Sequence, residues 1–119
     1  MSTYRILSLD GGGIRGIISA ILLERIEEAI PGFLASIDLF AGTSTGGILA
    51  LGLASGKSPT EIKNLYRHRG KNIFYDSFWD NVVDLGKLAG AQYSSQNLSG
   101  ELKKVFGETA TLKDLRKKV

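Results

Sequence analysis

Residues 37–54 read IDLFAGTSTGGILALGLA, a short apolar run followed by a glycine-rich turn and a longer apolar run. The first run, residues 37–41, has the length and composition of a buried strand. The second run, residues 48–54, is apolar nearly all round, which is typical of a buried helix. A strand that leads through a glycine turn (residues 42–47) into a helix is the building unit of a parallel α/β sheet.

The same order of elements occurs upstream. Residues 4–9 (YRILSL) predict a short central strand, and a glycine loop at 10–13 follows it directly. Residues 14–30 carry apolar side chains at helical spacing, with glutamates on another face, and Pro31-Gly32 ends that helix. The repeated order predicts an α/β fold with a parallel sheet covered by helices on both faces, a three-layer architecture.

Two further helices are indicated downstream. Ser58, Pro59 and Glu61 have the order of an N-cap, a first helical residue and the acid that completes a capping box. Apolar residues at helical spacing within 98–106 predict a later helix that Gly107 ends. We find no internal repeat. A length of 119 residues allows one small domain at most.

Composition narrows the class of protein. The apolar fraction of 43% and charged fraction of 23% are ordinary, but 15 glycines are about twice the usual share. Without cysteine, and with His68 as the single histidine, neither a disulfide nor a metal site is expected, and no cofactor is implied. The start resembles no secretory signal and no apolar run is long enough to span a membrane. We expect a cytoplasmic protein that can also bind membranes peripherally.

The formal net charge of +3 does not indicate a nucleic-acid partner. Residues 113–119 contain four basic residues and one acid, so they account for the whole excess. A short basic tail is more often a solvated end than a phosphate-binding surface.

Gly42-Thr43-Ser44-Thr45-Gly46 fits the G-x-S-x-G nucleophile elbow and lies, as that motif requires, between a strand and a helix. A serine on such a sharp turn exposes its hydroxyl while crowding its flanks, and small residues two before and two after relieve the crowding. The helix that follows favours negative charge near its N-terminus. The alternative is an ordinary glycine turn with Ser44 as a helix N-cap.

Gly11-Gly12-Gly13-Ile14-Arg15-Gly16 has two interpretations. The pattern G-x-G-x-x-G after a strand matches a dinucleotide-binding loop. That class also needs an acid at the end of the second strand, whereas Asp38 lies near its start. Alternatively, backbone N–H groups of the loop form an oxyanion hole for acyl transfer, facing the same crevice as Ser44.

Three neighbouring features have structural interpretations. Asp10 is placed to accept hydrogen bonds from the N–H groups of its own loop. Arg15 either steadies the loop, meets an anionic head group or forms a surface salt bridge. Gly56-Lys57-Ser58 resembles the end of a phosphate-binding P-loop, but the first glycine of that motif is missing at Leu51 and a helix precedes it.

The pairing of Asp10-Gly-Gly-Gly-Ile-Arg-Gly16 with Gly42-Thr-Ser-Thr-Gly-Gly47 some thirty residues later resembles the patatin-like phospholipases. The similarity extends along the whole chain. It implies an α/β-hydrolase-related fold and a lipid acyl hydrolase, a phospholipase A-type esterase with a serine–aspartate dyad. It also implies Ser44 as nucleophile, with Gly11, Gly12, Gly13 and Arg15 as the oxyanion segment.

The resemblance also predicts that the catalytic aspartate is missing from these residues. The aspartate of this family lies in a later Asp-Gly-Gly or Asp-Gly-Ala motif, and the one Asp-Gly here, Asp10-Gly11, already belongs to the oxyanion loop. The chain stops about where the family's next core strand would begin. We therefore expect residues 1–119 to be the N-terminal part of a single catalytic domain, apparently truncated and inactive alone. The alternatives are an inactive lipid-binding remnant and a dinucleotide-binding domain.

No base for Ser44 is evident within these residues. His68 lies between Arg67 and Arg69 on a capped helix and is expected to be solvated. The aromatic residues of 73–83 suit either a lipid interface or packing under a loop. The expected partners are membrane phospholipid or another acyl lipid, met through transient contact with the membrane surface.

Overall fold

The computed structural model describes the backbone of residues 3–78 and 95–119 and the side chains of residues 3–71 and 98–119. The strands and helices in chain order are β1 (Ile6–Leu9), α1 (Gly16–Ala29), β2 (Leu39–Gly42), α2 (Thr45–Ala54), α3 (Pro59–Phe78) and α4 (Ser95–Phe106). Short 3-10 turns occupy Gly13–Arg15, Leu34–Ser36 and Leu112–Asp114.

The two strands pair in parallel, from Ile6 opposite Leu39 to Leu9 opposite Gly42. The prediction of a parallel α/β fold is therefore confirmed. Because alternate N–H groups of a parallel strand point to opposite edges, β2 is open to a second partner. Lys118 lies at that edge: Phe40 N–H donates to its carbonyl at 3.0 Å, and Leu39 and Lys118 form a parallel bridge.

The helix after the second strand begins at Thr45, three residues earlier than the apolar pattern predicts. Helix propensity does not predict this first turn, because it contains Gly46 and Gly47 and glycine is a poor helix former. The turn between strand and helix is accordingly short and centres on Ser44. As predicted, α2 is buried along nearly its whole length.

The core lies between α1, α2, the strands and the first half of α3. Its largest fully buried side chains are Phe40, Leu49, Ile62 and Tyr66. Helix α3 packs along α1, and an ion pair between Lys63 and Glu24, 2.6 Å apart, joins the two at their surface. The two N-termini of α1 and α2 are held at the same end of this core.

The apolar stripe that periodicity identifies on α1 does not face this core. Ala20 and Leu23 are the buried apolar residues of α1, whereas Ile18 and Leu22 are 54% and 57% exposed. The small Ala20 permits the close approach of neighbouring helices, so the contact forms on that side. The apolar stripe is therefore exposed to solvent among the residues that the structure describes.

The predicted N-terminus of α3 and the predicted C-terminus of α4 are confirmed. Ser58 N–H donates to the Glu61 carboxylate at 2.7 Å, and Glu61 N–H donates to Ser58 Oγ at 3.2 Å, which completes the capping box of α3. Gly107, at φ 98°, ends α4 with a hydrogen bond to Lys103 O. Within residues 3–78 and 95–119, no helix combines the length and the apolar character that crossing a membrane would require.

Candidate active site

Ser44 has a strained backbone. Its φ of 54° and ψ of −125° make it the one residue other than glycine with positive φ in the described part of the chain. Such a conformation persists only where surrounding structure imposes it, and it is typical of functional sites. Ser44 occupies the N-cap position of α2 but its side chain forms no capping hydrogen bond. The N-cap interpretation therefore does not explain this serine, whose side chain is exposed.

The glycines that flank Ser44 are required by space. A Cβ atom on Gly42 would overlap the backbone of Gly46, and one on Gly46 would overlap the carbonyl of Leu9. Gly46 therefore allows α2 to start directly against the end of β1. These two contacts explain why the small residues stand two before and two after the serine.

The glycine loop lies directly beside the elbow. A Cβ atom on Gly11 would lie 2.9 Å from Ser44 Cβ and 2.9 Å from Thr43 O, closer than real Cβ contacts. Gly13 adopts φ 59°, in the left-handed region that favours glycine. The structure thus brings together the two glycine motifs that the sequence separates by some thirty residues.

Backbone N–H groups lie next to Ser44, where the glycine loop meets the start of α2. No residue within the described ranges accepts a hydrogen bond from the N–H groups of Gly12, Gly13 or Thr45. The first N–H groups of a helix lack intrahelical acceptors and carry its partial positive charge. Both α1 and α2 begin here, so the junction suits an oxygen atom that develops negative charge.

Arg15 steadies the glycine loop through two hydrogen bonds. Its backbone N–H and its Nε both donate to Gly12 O, at 3.2 and 3.3 Å. It forms no salt bridge with any described residue, so the first of the three proposed roles fits best. The expected hydrogen bonds to Asp10 are absent among the described residues, and this carboxylate is exposed. That prediction is not supported.

The described residues supply no base for Ser44. None of them forms a hydrogen bond with Ser44 Oγ, and His68 is exposed on α3, where its Nδ1 lies 2.8 Å from Asn64 O. Asp76, Asp80 and Asp84, the aspartates that follow His68 in the sequence, and the aromatic residues of 73–83 lie outside the residues whose side chains are described.

The rival motifs have structural explanations. The Asp38 carboxylate, just before β2, accepts the backbone N–H of Arg5 at 2.8 Å, so it lies at the strand end opposite Ser44. A dinucleotide site would need its acid at Ser44's end. Gly56, at φ 93°, ends the turn after α2, and Ser58 caps α3.

Two features near the site were not predicted from the sequence. The buried Tyr66 of α3 donates from its hydroxyl to Thr45 O at 3.1 Å. Thr45 Oγ1 is buried without a hydrogen-bond partner in the described structure. The spacing of Ile62 and Tyr66, one helical turn apart, indicates a core-facing side of α3, but nothing in the sequence indicates what that side touches.

An apolar groove of about 580 Å³ lies elsewhere, between α4, Leu51 of α2 and the segment 107–115. Its lining contains neither Ser44 nor any residue of the glycine loop. The groove is therefore separate from the candidate active site.

Comparisons with known proteins agree with the geometry. The family model described as "Patatin-like phospholipase" matches residues 7–118. A cGAMP-activated phospholipase of Vibrio cholerae is 41% identical over 97% of this chain, which covers 36% of that protein. Patatin-like protein 4 of Arabidopsis thaliana is 35% identical over 87% of the chain and 30% of its own length. An 85/88 kDa calcium-independent phospholipase A2 of Rattus norvegicus is 36% identical over 94% of the chain and 12% of its own length.

No solved structure matches the chain. The chain spans about a third of the length of the bacterial phospholipases that it matches. The match to the family model nevertheless covers nearly all of the chain, including both glycine motifs. The chain therefore belongs to the patatin-like phospholipase family.

Proposed function

We propose that Ser44 is the nucleophile of a lipid acyl hydrolase, a phospholipase A-type esterase in the complete protein. The observation that carries this proposal is the strained, exposed Ser44 in direct contact with the glycine loop. Strain at an exposed serine has no stabilising role of its own, and the adjacent N–H groups offer what acyl transfer needs.

In the proposed reaction, Ser44 Oγ forms a bond to the carbonyl carbon of the lipid ester while a base takes the hydroxyl proton. The carbonyl oxygen becomes an oxyanion that accepts hydrogen bonds from backbone N–H groups of Gly12, Gly13 and Thr45. The intermediate collapses, and the alcohol leaves with the proton from the base. Water then adds to the acyl-serine by the same steps and releases the fatty acid.

The proposed base is an aspartate that is not among residues 1–119, as the family resemblance implies. A serine hydroxyl without an adjacent base is a weak nucleophile at neutral pH. Residues 1–119 alone should therefore have little esterase activity. No metal or cofactor has a part in this mechanism.

The proposed substrate is a membrane phospholipid or another acyl lipid, reached by transient contact of a cytoplasmic protein with the membrane surface. The relatives support the substrate class, since they include a cGAMP-activated phospholipase and a calcium-independent phospholipase A2. The position of Asp38, at the strand end opposite Ser44, argues against a dinucleotide-binding domain. A nucleic-acid partner has no support.

The test uses the protein expressed from its complete gene, incubated with phosphatidylcholine vesicles, with release of free fatty acid as the readout. Wild type and the control Ser99→Ala, an exposed serine of α4, should release fatty acid, and folded Ser44→Ala should release none. Release by Ser44→Ala would overturn the proposal. A folded wild type without activity on vesicles or short-chain nitrophenyl esters would favour the inactive remnant.

A further inference from the structure

Tyr66 is among the largest fully buried side chains, only 2% exposed, although it carries a hydroxyl. It lies on α3, which packs along α1 and against the 3-10 turn Gly13–Arg15 that ends the glycine loop. The helix that carries Tyr66 therefore contacts the end of the glycine loop.

The ring of Tyr66 lies against the first residue of α1. A methyl group on Gly16 would lie 2.8 Å from the ring's Cε1 and from its Oη, closer than real Cβ contacts. Only glycine at this position lets the helix begin on the ring. The oxyanion segment, which ends at Arg15, thus leads directly into a contact with Tyr66.

The hydroxyl of Tyr66 reaches the other half of the site. It donates to Thr45 O at 3.1 Å, and Thr45 is both the residue after Ser44 and the first residue of α2. Burial raises the pKa of Tyr66 to about 12, against the opposing effect of the hydrogen bond to Thr45. The hydroxyl therefore keeps its proton, and remains a donor, throughout the physiological range.

We propose that Tyr66 is a positioning residue that fixes the nucleophile elbow and the glycine loop relative to each other. This role rests on the proposed function. The glycine loop has little conformational preference of its own. Another residue must therefore hold its backbone N–H groups where they can donate to the oxyanion formed at Ser44. An error of about 1 Å in such geometry lowers turnover roughly a hundredfold.

The decisive variant is Tyr66→Phe, which keeps the ring on Gly16 and removes the hydrogen bond to Thr45. The matched control is Tyr4→Phe, at an exposed tyrosine outside the site. In the protein from its complete gene, kcat for a short-chain ester should fall about tenfold, the worth of one hydrogen bond. The KM should stay within about twofold of wild type, because a positioning role acts on the transition state.

Active sites are counted by exhaustive fluorophosphonate labelling, so a partly folded sample does not mimic a low kcat. The rate of labelling at Ser44 should fall in parallel with kcat. Unchanged kcat and labelling rate in folded Tyr66→Phe would overturn the role of Tyr66 and leave the proposed function intact. A loss confined to the number of labelled sites would also overturn it, since that result indicates a purely structural role.

Gly16→Ala provides a second route if Tyr66→Phe does not fold. Its methyl group displaces the Tyr66 ring, so the same loss of kcat at nearly unchanged KM is expected, and an unchanged kcat contradicts the proposal. An inactive, unlabelled wild type would overturn the proposed function and, with it, this role. The activity and labelling of the wild type therefore distinguish failure of the proposed function from failure of the Tyr66 role alone.

Discussion

Gly11 and Ser44 lie so close together that a methyl group on Gly11 would come within 2.9 Å of Ser44 Cβ. The contact joins the end of β1 to the end of β2 at the point where both strands lead into helices. It also means that the position of the serine and the shape of the glycine loop are not independent.

Gly11→Ala should therefore lower turnover by at least tenfold while the protein stays folded. The new methyl group meets Ser44 Cβ and Thr43 O, so the elbow must shift, and small shifts of a nucleophile are costly. The control is Gly100→Ala in α4, where an added Cβ meets nothing within 4 Å. Steady-state hydrolysis of a nitrophenyl ester compares the two, and equal loss in both variants would contradict the account.

Gly13→Ala should reduce turnover by a different route. Its φ of 59° is unfavourable for alanine by roughly 1–2 kcal/mol, so the loop will change its backbone to relieve the strain. An amide that leaves the oxyanion hole removes about 3 kcal/mol of transition-state stabilisation, a loss of roughly a hundredfold in kcat. Ester KM should change far less. A normal kcat in this variant would exclude the loop as the source of the oxyanion donors.

Much of this fold could be predicted because the deciding signals are local. Ser58 and Glu61 form the predicted capping box, Gly107 ends α4, and the apolar run after Ser44 is a buried helix. Each of these depends on neighbours within a few residues, so the sequence contains all the information needed.

The parts that could not be predicted depend on contacts between distant residues. Periodicity identifies an apolar stripe on α1 but cannot tell which neighbour it meets, and the described core uses Ala20 and Leu23 instead. Tyr66 appears from sequence to be an ordinary core residue. Its hydrogen bond to Thr45 depends on how α3 crosses the start of α2, which no local pattern encodes.

The exposed stripe of α1 predicts the behaviour of residues 1–119 expressed alone. Ile18 and Leu22 are both more than half exposed, and Ile6 on β1, at 58% exposure, adds to the accessible apolar surface. Burying such surface is favourable by about 25 cal/mol per Å², so the isolated polypeptide should self-associate. Analytical ultracentrifugation should detect oligomers that the Ile18→Glu, Leu22→Lys variant reduces. A stable monomer of residues 1–119 would contradict this prediction.

The capping box of α3 predicts a dependence of stability on pH. Hydrogen bonds from the backbone and side chain of Ser58 hold the pKa of Glu61 below its ordinary value of 4.5. The stabilisation is therefore fully present above pH 4.5 and is lost as the pH falls through the lower, folded-state pKa. Urea unfolding should find Glu61→Ala less stable than wild type at pH 7, with the difference shrinking towards pH 3.

The control for that series is Glu108→Ala, an exposed carboxylate that forms no hydrogen bond with any described residue. Its stability difference from wild type should be small at pH 7, because the substitution removes no described hydrogen bond. If the difference between wild type and Glu61→Ala stayed constant from pH 7 to pH 3, the carboxylate of Glu61 would not be the group that caps α3.

The central claim is that Ser44 is the nucleophile, and covalent labelling tests it most directly. The protein from its complete gene is treated with a fluorophosphonate, digested, and the modified residue located by mass spectrometry. We predict a single modification on Ser44, absent in folded Ser44→Ala and retained in Ser99→Ala. Modification of a different serine, or undiminished labelling of Ser44→Ala, would contradict the account.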